Sequence, residues 1–227
     1  MSKARRIYLL SQKDLSPETI AVTFAKTSRS PKPFDAIAAE LTDERSAHFH
    51  EKWVVGYGHA SVAEHAVLHI AMENISRLAI ETIENNRLAS YTEKSTRYQQ
   101  WDEDAFYVPV ELQGQELEGE FKAVCENLFQ TYHRSIPKVK TWLSQAMHRV
   151  DNETDRAYER RIRSAAIDVC RFLLPAASLA NVGITINARA LEYAICKMLS
   201  SPIEEVQAIG AKLCEVGKLE APTLIKY

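Results

Sequence analysis

At 227 residues, with 46% apolar and 26% charged side chains, the chain can close one sizeable core, and no Pro/Gly/Ser-rich linker divides it, so residues 1–227 read as a single domain. A formal charge of -2 argues against a protein that grips nucleic-acid backbones, and no stretch approaches the roughly 20 apolar residues of a membrane span. Lys3, Arg5 and Arg6 are followed by no long apolar region, and Cys125, Cys170, Cys196 and Cys214 form no CxxC pair, so a secretion signal, a disulfide framework and a structural zinc site are not indicated. The cysteines read as small core residues, and the protein as soluble and cytoplasmic.

Arg6–Leu10 is short and apolar, and a first strand is expected there. Ser16, Pro17 and Glu18 open a helix to about Ser28, with the serine as cap and the proline in the first turn. Ser30–Pro33 is a turn, because each proline biases its predecessor away from helix. Thr42–Trp53 is charged and amphipathic with Thr42 as cap, and Ser61–His65 is a further capped turn. Ala66–Glu73 alternates as a strand does, and Ser76 caps a helix to Asn85. Arg87–Arg97 lacks a clean period and reads as an irregular binding loop delivered by that helix. Phe106–Pro109 looks like a closing strand. Helical patterns follow over about residues 115–135, 136–147, 152–173, 187–199 and 202–214.

The densest chemistry lies between Gly58 and Tyr98. Arg87, Ser90, Glu93, Ser95, Arg97 and Tyr98 place two permanent cations, hydroxyls, a carboxylate and a phenol within about one loop's length. Arginine forks hold phosphate or carboxylate at two points, and hydroxyls complete such an anion site. A solvated turn with charge pairs would have the same composition. Tyr91 and Tyr98 could stack on a ring system or bury a satisfied hydroxyl. His65 and His69 have zinc-ligand spacing for a helix and His59 is near, but the segment reads as strand and no metal site is expected. Asp151–Arg163 reads as a solvated helix face, and Glu81 and Glu84 as surface charges.

The order of residue types in this block resembles the signature of the flavin-dependent thymidylate synthases: Arg-His-Arg, two residues, Ser, one residue, Asn-Glu, one residue, Ser, one residue, Arg-Tyr. Arg87, Ser90, Glu93, Ser95, Arg97 and Tyr98 fall in register. Upstream, Gly58, His59, Ser61, Glu64 and His65 resemble the family's Gly-His-x-Ser/Thr-x-x-Glu-His segment, and Ser76-Arg77 its Ser-Arg. Downstream, Arg171 with Leu174-Pro175, and Asn187-Ala188-Arg189 just before Leu191, resemble its Arg-x-x-Leu-Pro and Asn-Ala-Arg elements.

The resemblance implies an α/β (α+β) fold with a mixed β-sheet flanked by helices and a helix-rich C-terminal half, assembled as a homotetramer with flavin sites built from several subunits. It implies reductive methylation of deoxyuridine monophosphate (dUMP) to dTMP, with methylenetetrahydrofolate and NADPH as co-substrates and FAD as cofactor. It would place His59, Ser61, Glu64, Arg87, Leu88, Glu93, Asn187 and Arg189 on FAD. Glu93, Lys94, Ser95, Thr96, Arg97 and Arg171 would meet the nucleotide.

This chain departs from the pattern at chosen places. Asn85 and Asn86 stand for the first two positions of Arg-His-Arg, Thr92 for the Asn before the motif's Glu, and Thr82 for an upstream Gln. The arginine that in the family polarises the uracil ring falls at Met198, with Lys197 beside it, so no catalytic residue is assigned. Two alternatives follow. One is a flavoprotein of the same fold acting on another nucleotide or acceptor; the other is a catalytically decayed subunit completing a hetero-oligomer with a paralogue.

Overall fold

A computed structural model describes residues 6–226; Lys3 and Arg5 lie outside them. Residues 6–10 are irregular, not a strand: Ile7 and Leu9 are 91% and 93% exposed, so their apolar side chains find no sheet to cover. α1 (Pro17–Thr27) begins as its sequence dictates, with Ser16 Oγ accepting from the Thr19 amide at 3.2 Å and Pro17 in the first turn. After α2 (Phe34–Ala39), α3 (Asp43–Phe49) is capped by Thr42 and runs directly into a π-helical turn, His50–Gly56. A 3₁₀ turn covers Ala60–His65, but its N-cap position is His59 and no side chain caps it.

β1 (Val67–Ser76) leads into α4 (Arg77–Glu84), whose Ala79 amide donates to Ser76 Oγ at 3.0 Å. The expected irregular loop is regular at its centre: β2 (Ala89–Glu93) lies inside the polar block. The sheet is antiparallel with order β1-β3-β2, and its central strand β3 (Leu179–Asn187) had no counterpart in the sequence reading. Alternation was present there, since Ala180, Val182, Ile184 and Ile186 are the buried face. Asn181, Gly183 and Asn187, all poor strand formers, masked it. At Phe106 the expected closing strand is reduced to a single bridge with Ser178.

The helix-rich C-terminal half follows expectation except in its joins. Residues 115–147 form one helix, α5 (Glu116–Ala146), which passes through Pro137. Proline removes one hydrogen bond at that point, but Phe129, Tyr132, Ile136 and Leu143 form one buried stripe on both sides of it, and packing on α6 (Asp155–Cys170) keeps the helix continuous. α7 (Ala188–Leu199) begins at Asn187, whose Oδ1 accepts from the Ala190 amide at 2.8 Å, and α8 (Glu204–Glu220) outlasts its expected end at Cys214.

Contacts divide the chain into two compact units. The first comprises residues up to Ile70, Asn85–Ser90 and Ile184 onward; the second comprises Ala71–Glu84 and Tyr91–Gly183. In the first unit α1 packs on α2, α3 and the 3₁₀ turn, and α7 packs on α8. Gly210 of α8 permits the α7–α8 approach, because a Cβ there would stand 2.8 Å from Met198 Cβ. Buried Glu18 ties the C-terminal segment to α1 by accepting from the Thr223 and Leu224 amides at 2.8 and 3.1 Å.

In the second unit Leu143, Ile162 and Ala166 form a core between α5 and α6. Glu153 accepts from Arg161 Nε and Nη2 at 2.8 and 2.7 Å, and this pairing holds its carboxyl at about 2, below the ordinary 4.5. A depressed folded-state value means that the pairing contributes stability above pH 4.5, which is lost as pH falls toward 2. Glu153→Gln should therefore lower Tm at neutral pH, and the gap to wild type should close by about pH 2; a gap that stays constant across thermal melts from pH 7 to 2 would contradict the assignment.

Candidate functional site

Two groups of side chains, one in each unit, contain most of the site residues singled out in the sequence, but not His59, Ser61, Glu93 or Lys94. In the first unit a cavity of about 590 Å³ is lined by Glu64, Arg87, Leu88, Asn187, Arg189 and Lys197, with Asn85, Asn86 and Tyr193 completing its wall. The local structure explains the convergence. Arg189, Ala190, Tyr193 and Lys197 follow helical spacing along one face of α7, whereas Ala188, Leu191, Ala194, Ile195 and Met198 are the buried face. Arg189 Nη1 pairs with Glu64 Oε1. Glu64 also borders a neighbouring cavity that holds His59, Ser61 and His65.

Met198 is fully buried, so the position where the family pattern carries an arginine belongs to the α7–α8 core here. Lys197, one residue earlier, lines the cavity two turns beyond Arg189 on the same face of α7. Periodicity could have revealed this, because residues 188, 191, 194, 195 and 198 form one apolar stripe.

In the second unit Arg97 and Arg171 meet on one carboxylate that the sequence reading did not single out. Asp168 Oδ1 accepts from Arg97 Nε at 3.1 Å and lies 3.0 Å from Arg171 Nε in an ion pair without hydrogen-bond alignment. Arg171 Nη1 donates to Thr96 Oγ1 at 3.3 Å. Ser95 shapes the approach: its Oγ accepts from the Arg97 amide and its carbonyl from the Gln99 amide. Asp168 stands three residues before Arg171, one helical turn away, and that spacing was the available signal.

Other expected site residues are committed elsewhere. Lys94 Nζ sits 4.4 Å over the ring of buried Trp101, and the Lys94 amide donates to Asn181 in the sheet. Glu93, assigned by resemblance to both ligands, falls in the second unit and pairs with Arg77. Burial pushes its carboxyl up, Arg77 opposes this, and Glu84 and Glu81 add to it. Tyr91 donates to the Ile83 carbonyl at 3.1 Å, the satisfied-hydroxyl alternative, whereas Tyr98 is exposed. Ser90 is exposed on β2.

His69 is bonded to Thr185 Oγ1 at 2.9 Å, and among the described residues no group of three His, Cys, Asp or Glu could hold a metal ion. Cys125 and Cys170 are buried and their thiols pushed up by burial, but Cys196 is exposed, so the cysteines are not uniformly core residues. Among the described residues no helix is long and apolar enough to cross a membrane.

A family model described as thymidylate synthase complementing protein matches residues 9–223. A UPF0159 protein of Thermoplasma acidophilum is 28% identical over 213 residues, 82% of this chain and 43% of that protein. A UPF0159 protein of Chlamydia pneumoniae is 31% identical over 182 residues, covering 78% of this chain and 34% of its own. A flavin-dependent thymidylate synthase of Clostridium tetani is 26% identical over 215 residues, covering 93% and 82%. The chain thus spans less than half the length of the two UPF0159 relatives and most of the length of the Clostridium enzyme. Since the family match runs from the segment before α1 to the one after α8, through both units, the chain belongs to the thymidylate synthase complementing protein family.

Proposed function

We propose that the chain, as one family domain, is an FAD-dependent thymidylate synthase that methylates dUMP with methylenetetrahydrofolate, using NADPH as reductant. The observation that carries this reading is the gathering of Glu64, Arg87, Leu88, Asn187 and Arg189, far apart in sequence, on one cavity. Its donor set suits a dinucleotide: two guanidiniums for the phosphates, with the Asn187 amide nitrogen free to donate because Oδ1 caps α7. Bound FAD supplies the hydride chemistry, and the protein orients and polarises.

In this reading Arg97 and Arg171 hold the nucleotide phosphate, with Ser95 and Thr96 as hydroxyl partners and Asp168 fixing the two guanidiniums in register. Lys197 is the cation nearest in register to the family's ring-polarising arginine. Lysine offers a point charge in place of a fork, so it can meet a carbonyl oxygen but not grip it at two points. The active assembly is a homotetramer whose sites draw on several subunits.

A second reading is favoured by Asn85 and Asn86, which line the cavity where the family pattern has an arginine and a histidine. Removing a preorganised electrostatic group typically lowers rates about a hundredfold to a thousandfold. A flavoprotein of this fold with a different acceptor would carry such changes. Tritium release from 5-tritiated dUMP, with methylenetetrahydrofolate, NADPH and FAD present, separates the two. Release that depends on all components supports thymidylate synthesis; flavin binding without release supports the other acceptor.

A further inference from the structure

In the second unit α6 carries three exposed arginines, Arg156, Arg160 and Arg163, and the segment after Trp101 carries three exposed acids in succession, Asp102, Glu103 and Asp104. We infer that these two patches pair between two copies of the chain, the acidic run of each copy lying on the arginine stripe of the other. The inference takes from the functional reading above only that copies assemble, and it assigns the face on which they meet.

The stripe follows from helical spacing. At about 100° per residue, positions 156, 160 and 163 fall within about 60° of one another on α6, over a rise of about 10 Å. Tyr158, Ile162, Ala165 and Ala166, on another side of the helix, belong to the core with α5, and the arginines are left to solvent. The neighbouring acids are already committed: Glu153 to Arg161, Asp155 to Arg149, and Asp168 to Arg97 and Arg171. Among the described residues neither the three arginines nor Asp102, Glu103 and Asp104 make an ion pair, and Glu159, at the margin of the stripe, is paired with none of the arginines.

The two patches lie near one buried ring. Burial pushes the Tyr132 phenol up, and the Trp101 backbone and the Arg163 charge oppose it, so the start of the acidic run and the end of the stripe both stand close to Tyr132. Trp101 is fully buried and its Nε1 donates to the Leu179 carbonyl, which anchors the run at its base. The Ala105 amide donates to the Asp102 carbonyl at 3.2 Å and the Phe106 amide to that of Asp104 at 2.8 Å, so the run is a shaped turn. Such a run spans about 7 Å between its end Cα atoms, within the length of the stripe. Opposite charges fixed side by side, and unpaired within one copy, match those of a second copy across a twofold axis, where each contact is made twice. A phosphate polymer would gain the stripe but be repelled by the adjoining acids, and a formal charge of -2 supplies no wider attraction.

Charge reversal and rescue test the contact. Arg160→Glu with Arg163→Glu, and Glu103→Lys with Asp104→Lys, would be compared with wild type by sedimentation velocity. Each double variant alone should fall to a smaller assembly, with the Kd of the lost contact raised about tenfold or more. An equimolar mixture of the two should regain the wild-type assembly, because both contacts again join opposite charges. Raising salt toward about 1 M, where the screening length is about 3 Å, should weaken the wild-type contact in the same direction. A neutral pair, Arg160→Gln with Arg163→Gln, should weaken assembly less than reversal does, and thermal melts of all variants should match wild type because the positions are exposed.

Reversed variants that assemble as wild type does, or folded variants whose mixture fails to reassemble, overturn the inference. If a reversed variant melts early, the glutamine pair decides: undiminished assembly there overturns it too. Binding of a labelled single-stranded oligonucleotide that is lost in the arginine variant, with assembly equal to wild type, would give the stripe to nucleic acid and likewise end the inference. A wild type that sediments as a monomer sinks both this contact and the homotetramer, whereas flavin absorbance decides the rest of the functional reading separately.

Discussion

Replacing Arg97 with alanine should weaken dUMP binding roughly tenfold to a hundredfold and leave the fold intact. Hydrogen bonds to a charged group contribute about 1.5 to 3 kcal/mol, which is the free energy of that factor. The fold should survive because the Arg97–Asp168 pair is solvent-accessible, with side-chain exposures of 57% and 37%, and exposed pairs add little to stability. Calorimetric titration with dUMP measures the loss, and deoxyuridine, which lacks the phosphate, is the control. Equal dUMP affinity in wild type and Arg97→Ala would remove the arginine pair from the phosphate site.

Met198→Arg, the substitution that restores the family's residue, should destabilise the protein by about 3 to 5 kcal/mol, the cost of an uncompensated buried charge. Met198 is fully buried in α7 against Gly210, so a guanidinium there is cut off from water and has no room beside α8. Against a total stability of roughly 5 to 15 kcal/mol, much of the protein would be unfolded at physiological temperature. Lys197→Arg changes the neighbouring, exposed position and should leave Tm within a degree or so of wild type. Urea denaturation of both variants checks this. A Met198→Arg protein with the wild-type midpoint would mean that position 198 can reach the site after all.

These contrasts show how far the sequence was legible. Caps are largely legible because they are local: Ser16, Thr42, Ser76 and Asn187 each sit where an N-cap is observed, although Asn187 marks only the start of a pattern in the sequence and the cap expected at Ser61 is absent. Whatever depends on a distant partner was read poorly. Arg6–Leu10 has a strand's composition but no neighbour, and Ala89–Glu93 has a loop's composition but pairs with β3. The Pro137 helix continues because a buried stripe outweighs one lost hydrogen bond.

The candidate site follows the same division. Motif order named its members, and Glu64, Arg87, Leu88, Asn187 and Arg189 do share a cavity, while Arg97 and Arg171 meet elsewhere in the chain. Asp168 carries no motif, and its spacing of one helical turn from Arg171 is the only trace of it in the sequence. Met198 is the instructive case: register equates it with a catalytic arginine, but its side of α7 equates it with the core.

The central claim is that the cavity lined by Arg87, Asn187 and Arg189 holds FAD. It is tested most directly by the ultraviolet–visible spectrum of the purified protein, incubated with excess FAD and then desalted, beside an Arg87→Ala, Arg189→Ala variant treated alike. A retained flavin band in the wild type that is lost or greatly reduced in the variant is the predicted result. A colourless wild type, or a flavin band retained equally by the variant, would contradict it.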